Sequence, residues 1–454
     1  MKFDELNISL DFKKNLNSLG FENLTLIQEA TLNHTLNKKD IIAQAKTGSG
    51  KTLAFLIPIV ENLISKKFRV QALILAPTRE LANQILVQLR ELLKHILNIK
   101  VLTLCGGVPY KPQVLSLKHE AHIVVGTAGR VLKHIKEGNL KCEDIRYFVL
   151  DEADKMLDMG FYDDILEVSN SLDKNRQTML FSATFTQNIE TLANFVLNKP
   201  LFIKLENEEK NKINQIFIKN SNLDISSEII KLIRSLKANS TIIFCNQKIS
   251  CEELANSLFD KNLDVLTLHS NLEQKTRDET LTLFSNGSYL ILIASDVASR
   301  GIDISNIDVV INYDLALNEK IHTHRIGRTA RAGNGGVAVT FYKEDEFDRV
   351  LQIKEIFPDI NFVDIVDIKD CEDFKIEPKY RTIFINGGKK QKIRKLDIVG
   401  CLTSNIGLEK DDIGKIDIFD FCSYVAIKVD KFNKNLKNIE KLKLKGKLYN
   451  CYEK

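Results

Sequence analysis

Apolar runs of three or four residues alternate with longer amphipathic stretches in two parts of the chain, residues 1–205 and 213–365. Such short apolar runs are typical of the buried strands of a parallel sheet. Most runs are separated by helix-length segments, so the pattern predicts strands joined by right-handed helical crossovers. The predicted strands are 40–43, 72–75, 101–104, 122–125, 148–150 and 178–181 in the first part, and 216–218, 241–244, 265–268, 290–293, 309–311 and 337–340 in the second. The chain is expected to contain two α/β domains, joined by a polar linker at 206–212.

Residues 381–454 show a different sequence pattern, with short apolar segments among many lysines. A strand over 381–388, a helix opening near Asp397 and a strand pair over 414–429 give a β-α-β-β order, which favours a small α+β domain like an RNA-recognition motif. Phe384 and Tyr424 take aromatic positions of such a sheet, whereas Cys422 lies where another aromatic is expected. We therefore rank the basic loop after the first strand above the sheet face as an RNA contact. Its basic residues are Lys389, Lys390, Lys392, Arg394 and Lys395.

Composition and charge narrow the class of protein. No apolar run approaches the roughly 20 residues of a membrane helix, and the eight cysteines show no metal-binding spacing, so we expect a reduced, cytoplasmic protein. The formal charge is +4, but residues 381–454 hold 17 Lys and Arg against 9 Asp and Glu, a net of +8, which leaves −4 for the rest. This asymmetry indicates a polyanion-binding unit at the end of the chain. The final lysine-rich run has two interpretations, a solvated tail and a phosphate-tracking surface.

A phosphate-binding loop follows the first predicted strand. The segment from Ala45 to Thr52 reads Ala-Lys-Thr-Gly-Ser-Gly-Lys-Thr and precedes an apolar helix. Glycines let backbone N–H groups converge on phosphate oxygens, and the helix N-terminus adds its partial positive charge. In such a loop Lys51 reaches the β- and γ-phosphates and Thr52 is a ligand of Mg²⁺. The remaining loop residues assigned to ATP binding are Ala45, Thr47, Gly48, Ser49 and Gly50.

Three carboxylates follow the fifth predicted strand, at Asp151, Glu152 and Asp154. Ligands of open α/β sheets bind beyond the carboxyl ends of the strands, and clustered acids there require a compensating cation. Alone, the segment is equally consistent with a surface acidic turn. The upstream loop favours a site in which Asp151 is a ligand of Mg²⁺ and Glu152 acts on the attacking water. Asp154 is either a third member of the site or a structural hydrogen-bonding residue.

Taken together, these motifs resemble the DEAD-box RNA helicases, whose name is spelled by residues 151–154. The resemblance covers roughly residues 1–360, and the other blocks of the family follow in order. They are Phe21 with Gln28, residues 77–82, 106–107, 127–130, 182–184, 243–246, Gln274 with Arg277, 294–303 and 324–333. The resemblance implies two RecA-like parallel-sheet domains in tandem, followed by the small RRM-like α+β domain. We assign these domains to residues 1–205, 213–365 and 381–454.

The resemblance also implies roles for individual residues. Phe21 stacks on the base, Gln28 reads the adenine edge, and Asp303 contacts the ribose. Arg328 and Arg331 are implied arginine fingers, and hydrolysis is expected to require closure of the two domains. Asp154, Ser182, Thr184 and His324 couple hydrolysis to that closure. The implied RNA contacts are Thr78, Arg79, Gly107, Thr127, Arg130, Arg277 and Ser295.

The last domain resembles the RNA-binding domain of the DbpA helicases, through residues 385–388, 397–400, 413–418 and 423–425. This resemblance implies binding to a hairpin of 23S ribosomal RNA and a role in assembling the large subunit. The expected protein is thus a monomeric, ATP- and Mg²⁺-dependent RNA helicase. Two alternatives are an ATP-dependent RNA clamp or chaperone, and an mRNA-turnover helicase without ribosomal specificity.

Overall fold

A computed structural model describes residues 1–45, 48–119, 121–205, 213–220, 224–296, 307–329 and 335–454. The described residues up to 205 form one compact unit, and those from 213 onward form a second. Predicted positions at Thr47, Asp303 and Arg331 lie outside the described residues. Within the described ranges, no helix combines the length and apolar character needed to cross a membrane.

The first unit is built on a seven-stranded sheet in the order β3-β4-β2-β5-β6-β1-β7, with every neighbouring pair parallel. Its strands are β1 (Ile41–Gln44), β2 (Ala72–Leu75), β3 (Val101–Leu104), β4 (Ile123–Gly126), β5 (Tyr147–Leu150), β6 (Gln177–Ser182) and β7 (Leu201–Lys204). Its helices are α1 (Leu10–Ser18), α2 (Leu26–Leu36), α3 (Lys51–Glu61), α4 (Arg79–Leu92), α5 (Tyr110–Leu117), α6 (Ala128–Lys136), α7 (Ala153–Asp158), α8 (Tyr162–Asn170) and α9 (Gln187–Val196). Apolar clusters on both faces of the sheet form the core.

The second unit repeats this architecture in the order β10-β11-β9-β12-β13-β8-β14, again all parallel. Its strands are β8 (Ile213–Lys219), β9 (Thr241–Cys245), β10 (Leu266–Leu268), β11 (Ile291–Ser295), β12 (Val309–Asn312), β13 (Gly336–Tyr342) and β14 (Ile360–Phe362). Its described helices are α10 (Ile225–Ser235), α11 (Lys248–Phe259), α12 (Gln274–Ser285), α13 (Glu319–Ile326) and α14 (Phe347–Ile356). We call this part the second α/β domain.

The same unit ends in a small α+β domain, here called the C-terminal domain. Its antiparallel sheet has the order β16-β17-β15-β19-β18. The strands are β15 (Tyr380–Ile385), β16 (Ile413–Ile418), β17 (Ser423–Lys428), β18 (Lys441–Leu444) and β19 (Lys447–Glu453), and the helices are α15 (Lys395–Ile406) and α16 (Val429–Ile439). Six single turns of 3₁₀ helix complete the described helices, at Phe3–Glu5, Leu93–His95, Glu344–Glu346, Ile365–Asp367, Lys389–Gln391 and Lys410–Asp412.

The observed architecture confirms the predicted fold class, and all of the predicted strands are present. The lysine-rich end of the chain is folded rather than a tail. It forms helix α16 and the hairpin β18–β19, whose Leu442 and Leu444 are buried in the domain core. Alternation of lysine and leucine along β18 places the lysines on the opposite, exposed face.

Candidate active site and nucleic-acid contacts

The phosphate-binding loop connects β1 to α3 in the first unit. Gly48 and Gly50 have φ angles of 87° and 96°, in the left-handed region that favours glycine. Gly50 is the residue before helix α3, which begins at Lys51. The Lys51 ammonium is buried and donates a hydrogen bond of 2.7 Å to the carbonyl oxygen of Ala45. The Lys51 side chain therefore spans the loop from the start of helix α3 back to Ala45. It lies beside the first backbone N–H groups of the helix, which have no partner within the helix itself.

Gln28 connects the N-terminus of helix α2 to this loop. Its side-chain oxygen accepts from the backbone N–H of Thr25 at 3.0 Å, and its Nε2 donates to the carbonyl oxygen of Gly50 at 3.0 Å. A Cβ atom on Gly50 would lie 2.5 Å from that Nε2. These two bonds use one lone pair and one N–H of the amide, so the other lone pair and the other N–H are not engaged by them. Phe21, the predicted stacking residue, is half-buried against the core of the first unit, 6.0 Å from the ring of Phe3.

All three predicted carboxylates are buried at the carboxyl end of β5. Burial, reinforced by the neighbouring Glu152, raises the pKa of Asp151 to about 7, although Lys51 and Lys155 oppose the shift. Strands β5, β6 and β1 are consecutive in the sheet, so their carboxyl ends bring the acids, Ser182 and the phosphate loop to one edge.

Asp154 takes the hydrogen-bonding position that the sequence left open. Its Oδ2 accepts from the backbone N–H groups of Ala183 and Thr184, each at 3.1 Å, and from the Thr184 hydroxyl at 3.3 Å. The Ser182 hydroxyl donates to the Thr184 carbonyl oxygen at 2.6 Å. The segment after β6 is thus hydrogen-bonded to the acidic segment after β5, which directly connects three of the predicted coupling residues, Asp154, Ser182 and Thr184.

Lys155 is a site residue that motif reasoning missed. Its ammonium donates to Glu152 Oε2 at 2.8 Å, and both side chains are almost completely buried. The backbone of Glu152 lies in the left-handed region, with φ 52° and ψ 51°, immediately before helix α7. A lysine three residues after an acid on the first turn of a helix was the signal available in the sequence. The pair fixes the orientation of the carboxylate that we assign to the attacking water.

The predicted RNA contacts of the first unit cluster at the carboxyl ends of β2, β3 and β4, the half of the sheet on the other side of β5. Thr78 caps helix α4 by accepting from Leu81 N–H at 3.3 Å. The Arg79 guanidinium crosses Gly107, where an added Cβ would lie 2.6 Å from Arg79 Nη1. Gly107 has a φ of 72° and Arg79 Nη1 has no hydrogen-bond partner among the described residues.

Two further predicted RNA contacts lie beside this group. The Thr127 hydroxyl accepts from Gly106 N–H at 3.1 Å. Arg130 donates to the Val108 carbonyl oxygen at 3.0 Å, and its guanidinium lies 5.4 Å from the ring centroid of Tyr110. Hydroxyl, guanidinium and glycine backbone groups in one place form a surface suited to phosphate and 2′-hydroxyl contacts.

In the second α/β domain, a buried arginine organises the segments that carry the predicted motifs. Arg325 on helix α13 donates to both oxygens of Asp296, at 2.6 and 2.7 Å, and to Asn246 Oδ1 at 2.6 Å. It also donates to the Asp314 carbonyl oxygen at 2.7 Å. These partners follow β11, β9 and β12, which are adjacent strands. Motif reasoning named this block for its other residues and gave Arg325 no role.

The remaining predicted residues of this domain lie on β11, on helices α12 and α13 and just after α13. Ser295 ends β11, Arg328 is buried just after helix α13, and His324 on that helix is half-buried. Arg277 on α12 is buried and lies 3.5 Å from the carbonyl oxygen of His269.

In the C-terminal domain, all five predicted basic residues of the loop after β15 are exposed, while Ile393 between them is buried and anchors the loop.

Comparison with known proteins identifies the family of the chain. Three family models match in succession, the DEAD/DEAH box helicase over residues 25–192, the helicase conserved C-terminal domain over 222–333 and the DbpA RNA binding domain over 382–452. The chain belongs to the DEAD-box helicases, ATP-hydrolysing enzymes that unwind RNA, and carries a DbpA-type RNA-binding domain.

Individual relatives extend the likeness over almost the whole chain. The sequence is 40% identical to the ATP-dependent RNA helicase DbpA of Escherichia coli K12, over 95% of each chain. It is 36% identical to the protein of the same name from Bacillus subtilis 168, over 98% of each. Among solved structures, S. cerevisiae Dbp5 bound to RNA and ADP BeF3 superposes with a TM-score of 0.73 at 31% identity, covering 81% of this chain and 96% of that one. The family assignment made from the motifs is thereby confirmed.

Proposed function

We propose that Thr52 and Asp151 hold Mg²⁺ beside the phosphates of ATP, with Lys51 and the loop residues 45–52 around the triphosphate. A hydroxyl and a carboxylate are oxygen donors of the kind that Mg²⁺ prefers. The raised pKa of Asp151 supports the assignment, since a bound cation would stabilise the ionised carboxylate that burial and Glu152 disfavour. When bound, the ion would neutralise charge on the β- and γ-phosphates.

In the proposed reaction, Glu152 accepts a hydrogen bond from the attacking water and orients it towards the γ-phosphate. Arg328 and Arg331 neutralise charge on the transferring phosphoryl group. Asp154 is hydrogen-bonded to the segment of Ser182 and Thr184. A movement of the acidic segment during hydrolysis would therefore also move that segment. Phe21 and Gln28 bind adenine, Asp303 binds ribose, and His324 is proposed as a coupling residue.

The RNA substrate that we propose is 23S ribosomal RNA, bound during assembly of the large subunit by a monomeric enzyme. The observation that carries this proposal is the match of residues 382–452 to the DbpA RNA binding domain, joined to a basic loop that is exposed in full. The loop would bind hairpin phosphates, while Arg79, Arg130 and their neighbours bind the strand to be separated. Ser295 and Arg277 complete the proposed set.

The targeting proposal can be tested by replacing Lys389, Lys390 and Lys392 together with glutamine. ATPase stimulation by a 23S-derived hairpin should fall to the level given by an unrelated RNA, and stimulation by the unrelated RNA should be unchanged. A matched control replaces three exposed lysines of the first unit, Lys118, Lys174 and Lys199, in the same way. Equal stimulation of the unaltered protein by both RNAs would show that the chain has no ribosomal preference.

A strand-displacement assay separates the helicase from an ATP-dependent clamp. With hydrolysable ATP, a helicase releases a labelled strand from a short duplex in repeated turnovers. A clamp holds the duplex without releasing product, and a non-hydrolysable nucleotide gives the same result as ATP. Stable co-purification with a nuclease would instead support the mRNA-turnover alternative.

A further inference from the structure

The C-terminal domain contacts the second α/β domain through a buried hydroxyl. Thr382 on β15 is 0% exposed, and its Oγ1 lies between two side chains from the turn after helix α12. Asn286 Nδ2 donates to it at 2.8 Å, and Ser288 Oγ lies 2.7 Å away. Both partners are buried as well. A buried polar group that lacks a hydrogen-bond partner costs free energy. These bonds therefore favour the one arrangement of the two domains in which all three side chains are paired.

Charged and aromatic groups extend this contact along helix α12. Lys454 at the end of the chain forms an ion pair of 2.7 Å with Glu279, and Lys415 donates to the Ser285 hydroxyl at 2.8 Å. At Gly287 an added Cβ would lie 3.6 Å from the ring of Tyr380, within ordinary van der Waals contact. The contact therefore involves β15, β16 and the C-terminus on one side, and a helix with its following turn on the other.

The surface that is covered in this way is the outer face of the sheet. Successive residues of a strand point to opposite faces, so Thr382 shares its face with Phe384, while Ile383 and Ile385 are in the domain core. Tyr424 on β17 is directly opposite Phe384, with ring centroids 5.3 Å apart, and is only 3% exposed. Burial raises the pKa of Tyr424 above its usual range, and the negative charge of Glu279 on α12 adds to this shift. In an RRM-like sheet, aromatic residues on this face stack on RNA bases.

The other half of the same face remains open. Tyr452 on β19 is opposite Phe384 on its other side and is 55% exposed. Lys441 and Lys443 on the edge strand β18 are also exposed. This half continues towards the exposed basic loop, because Lys445, in the turn between β18 and β19, donates to the carbonyl oxygen of Lys392 at 2.6 Å.

We propose that the C-terminal domain works while docked on the second α/β domain, with the β15–β17 half of its sheet closed to RNA bases. Single-stranded RNA then binds the open surface made by the basic loop and by Tyr452 with the lysines of β18. This inference goes beyond the proposed function, since it holds for any RNA that the domain binds. It assigns the aromatic pair Phe384 and Tyr424 to an interface within the chain rather than to stacking on a base.

A reversible crosslink tests the proposal in the full chain. Ser288→Cys and Thr382→Cys are introduced together with Cys371→Ser and Cys422→Ser, which remove the two native thiols that are not buried. The hydroxyl oxygens replaced are 2.7 Å apart, so an oxidant should join the two cysteines in nearly all molecules. A fluorescein-labelled RNA hairpin with a single-stranded extension should bind the oxidised and reduced forms with affinities equal within about a factor of three.

Either of two results would overturn the proposal. If the crosslink does not form in the native chain, the domains are not docked. If oxidation weakens RNA binding by more than that factor, bases need the covered half of the sheet. Each protein is its own control, because only the redox state differs.

A second measurement does not depend on engineered cysteines. Thr382→Val keeps the shape of the side chain but leaves Asn286 and Ser288 without this partner. Hydrogen exchange should accelerate in helix α12 of the other domain as well as in β15. Thr403→Val alters a threonine of helix α15 whose hydroxyl donates to the carbonyl oxygens of Val399 and Gly400 in the same helix, and it should leave α12 unchanged. Faster exchange confined to the C-terminal domain in the Thr382 variant would contradict docking.

Discussion

Glu152 combines an unusual backbone with a buried charge. A non-glycine residue in the left-handed region costs on the order of 1 kcal/mol, and a carboxylate without water around it must be paired. Lys155 supplies that pairing at 2.8 Å. The turn from β5 into helix α7 thus presents the carboxylate in one orientation before any substrate is bound.

Glu152→Gln should bind ATP and RNA as the unaltered protein does but lose turnover. The amide preserves the shape of the side chain while removing its ability to accept a proton. The rate of single-turnover hydrolysis is expected to fall by a factor of about 100 to 10,000. An unchanged single-turnover rate would show that this carboxylate takes no part in the chemical step.

Lys155→Met should destabilise the first unit by about 3 kcal/mol, because it leaves the buried Glu152 carboxylate without its counter-charge. Urea unfolding measures the free energy, and Lys174→Met on the surface is the matched control. In the double variant with Glu152→Gln much of the loss should be recovered, since neither member of the buried pair is then charged. Additive losses would show that the ion pair does not couple these residues.

At the scale of elements, periodicity predicted six strands of each parallel sheet and missed one edge strand of each, β7 and β14. Strands β7 and β14 are short and largely exposed, so neither shows the apolar run that marks a strand buried on both faces. The predicted site residues that come together are those at strand ends, because parallel order brings such ends to one edge. Lys155 and Arg325 were missed, since their roles depend on which strands are neighbours in space. Asn246, Asp296 and Asp314 are far apart in sequence.

A buried histidine makes the second α/β domain sensitive to acid. His322 is fully buried, its Nε2 lies 2.9 Å from Gln215 Oε1, and burial, with Arg325 nearby, lowers its pKa from 6.5 to about 4. In the unfolded chain His322 becomes protonated below about pH 6.5, whereas in the folded domain it stays neutral down to about pH 4. Stability from this group is therefore complete above pH 6.5 and is lost as the pH falls through that window.

His322→Gln should reduce the loss of folding stability on acidification. For the unaltered protein, this group is expected to lower the free energy of unfolding by on the order of 3 kcal/mol at most. Hydrogen exchange of β8 and β13 between pH 7 and pH 4 follows the domain selectively, after correction for the intrinsic rate. His34→Gln, at an exposed position of α2, serves as the comparison. If both variants lose stability in parallel with the unaltered chain, the decline has another source.

For the whole molecule, the charge separation predicted from the sequence has a structural counterpart. The C-terminal domain carries a net +8 while the remainder totals −4, and its basic loop and the lysines of β18 are exposed. Sequence patterns could predict that this domain exists and binds a polyanion. They could not predict where it docks, because Thr382, Asn286 and Ser288 are ordinary polar residues that belong to no motif.

RNA affinity should depend steeply on salt, and the basic loop should account for part of that dependence. Replacing Lys389, Lys390 and Lys392 with glutamine should reduce the slope of log affinity against log salt by roughly one for each phosphate that the loop no longer neutralises. Fluorescence anisotropy at several salt concentrations gives the slope. The triple variant at Lys118, Lys174 and Lys199 should retain the full slope, and an equal reduction there would assign the effect to net charge alone.

The hydrogen bond from Gln28 to Gly50 has a consequence for how nucleotide preference could change. The amide that we propose to bind the base also supports the turn that we propose to hold the phosphates, and no side chain fits at Gly50 without displacing that amide. A substitution that relaxed the choice of base would at the same time loosen the grip on the triphosphate. In the proposed site, base preference and triphosphate affinity therefore depend on the same side chain, and we expect them to change together.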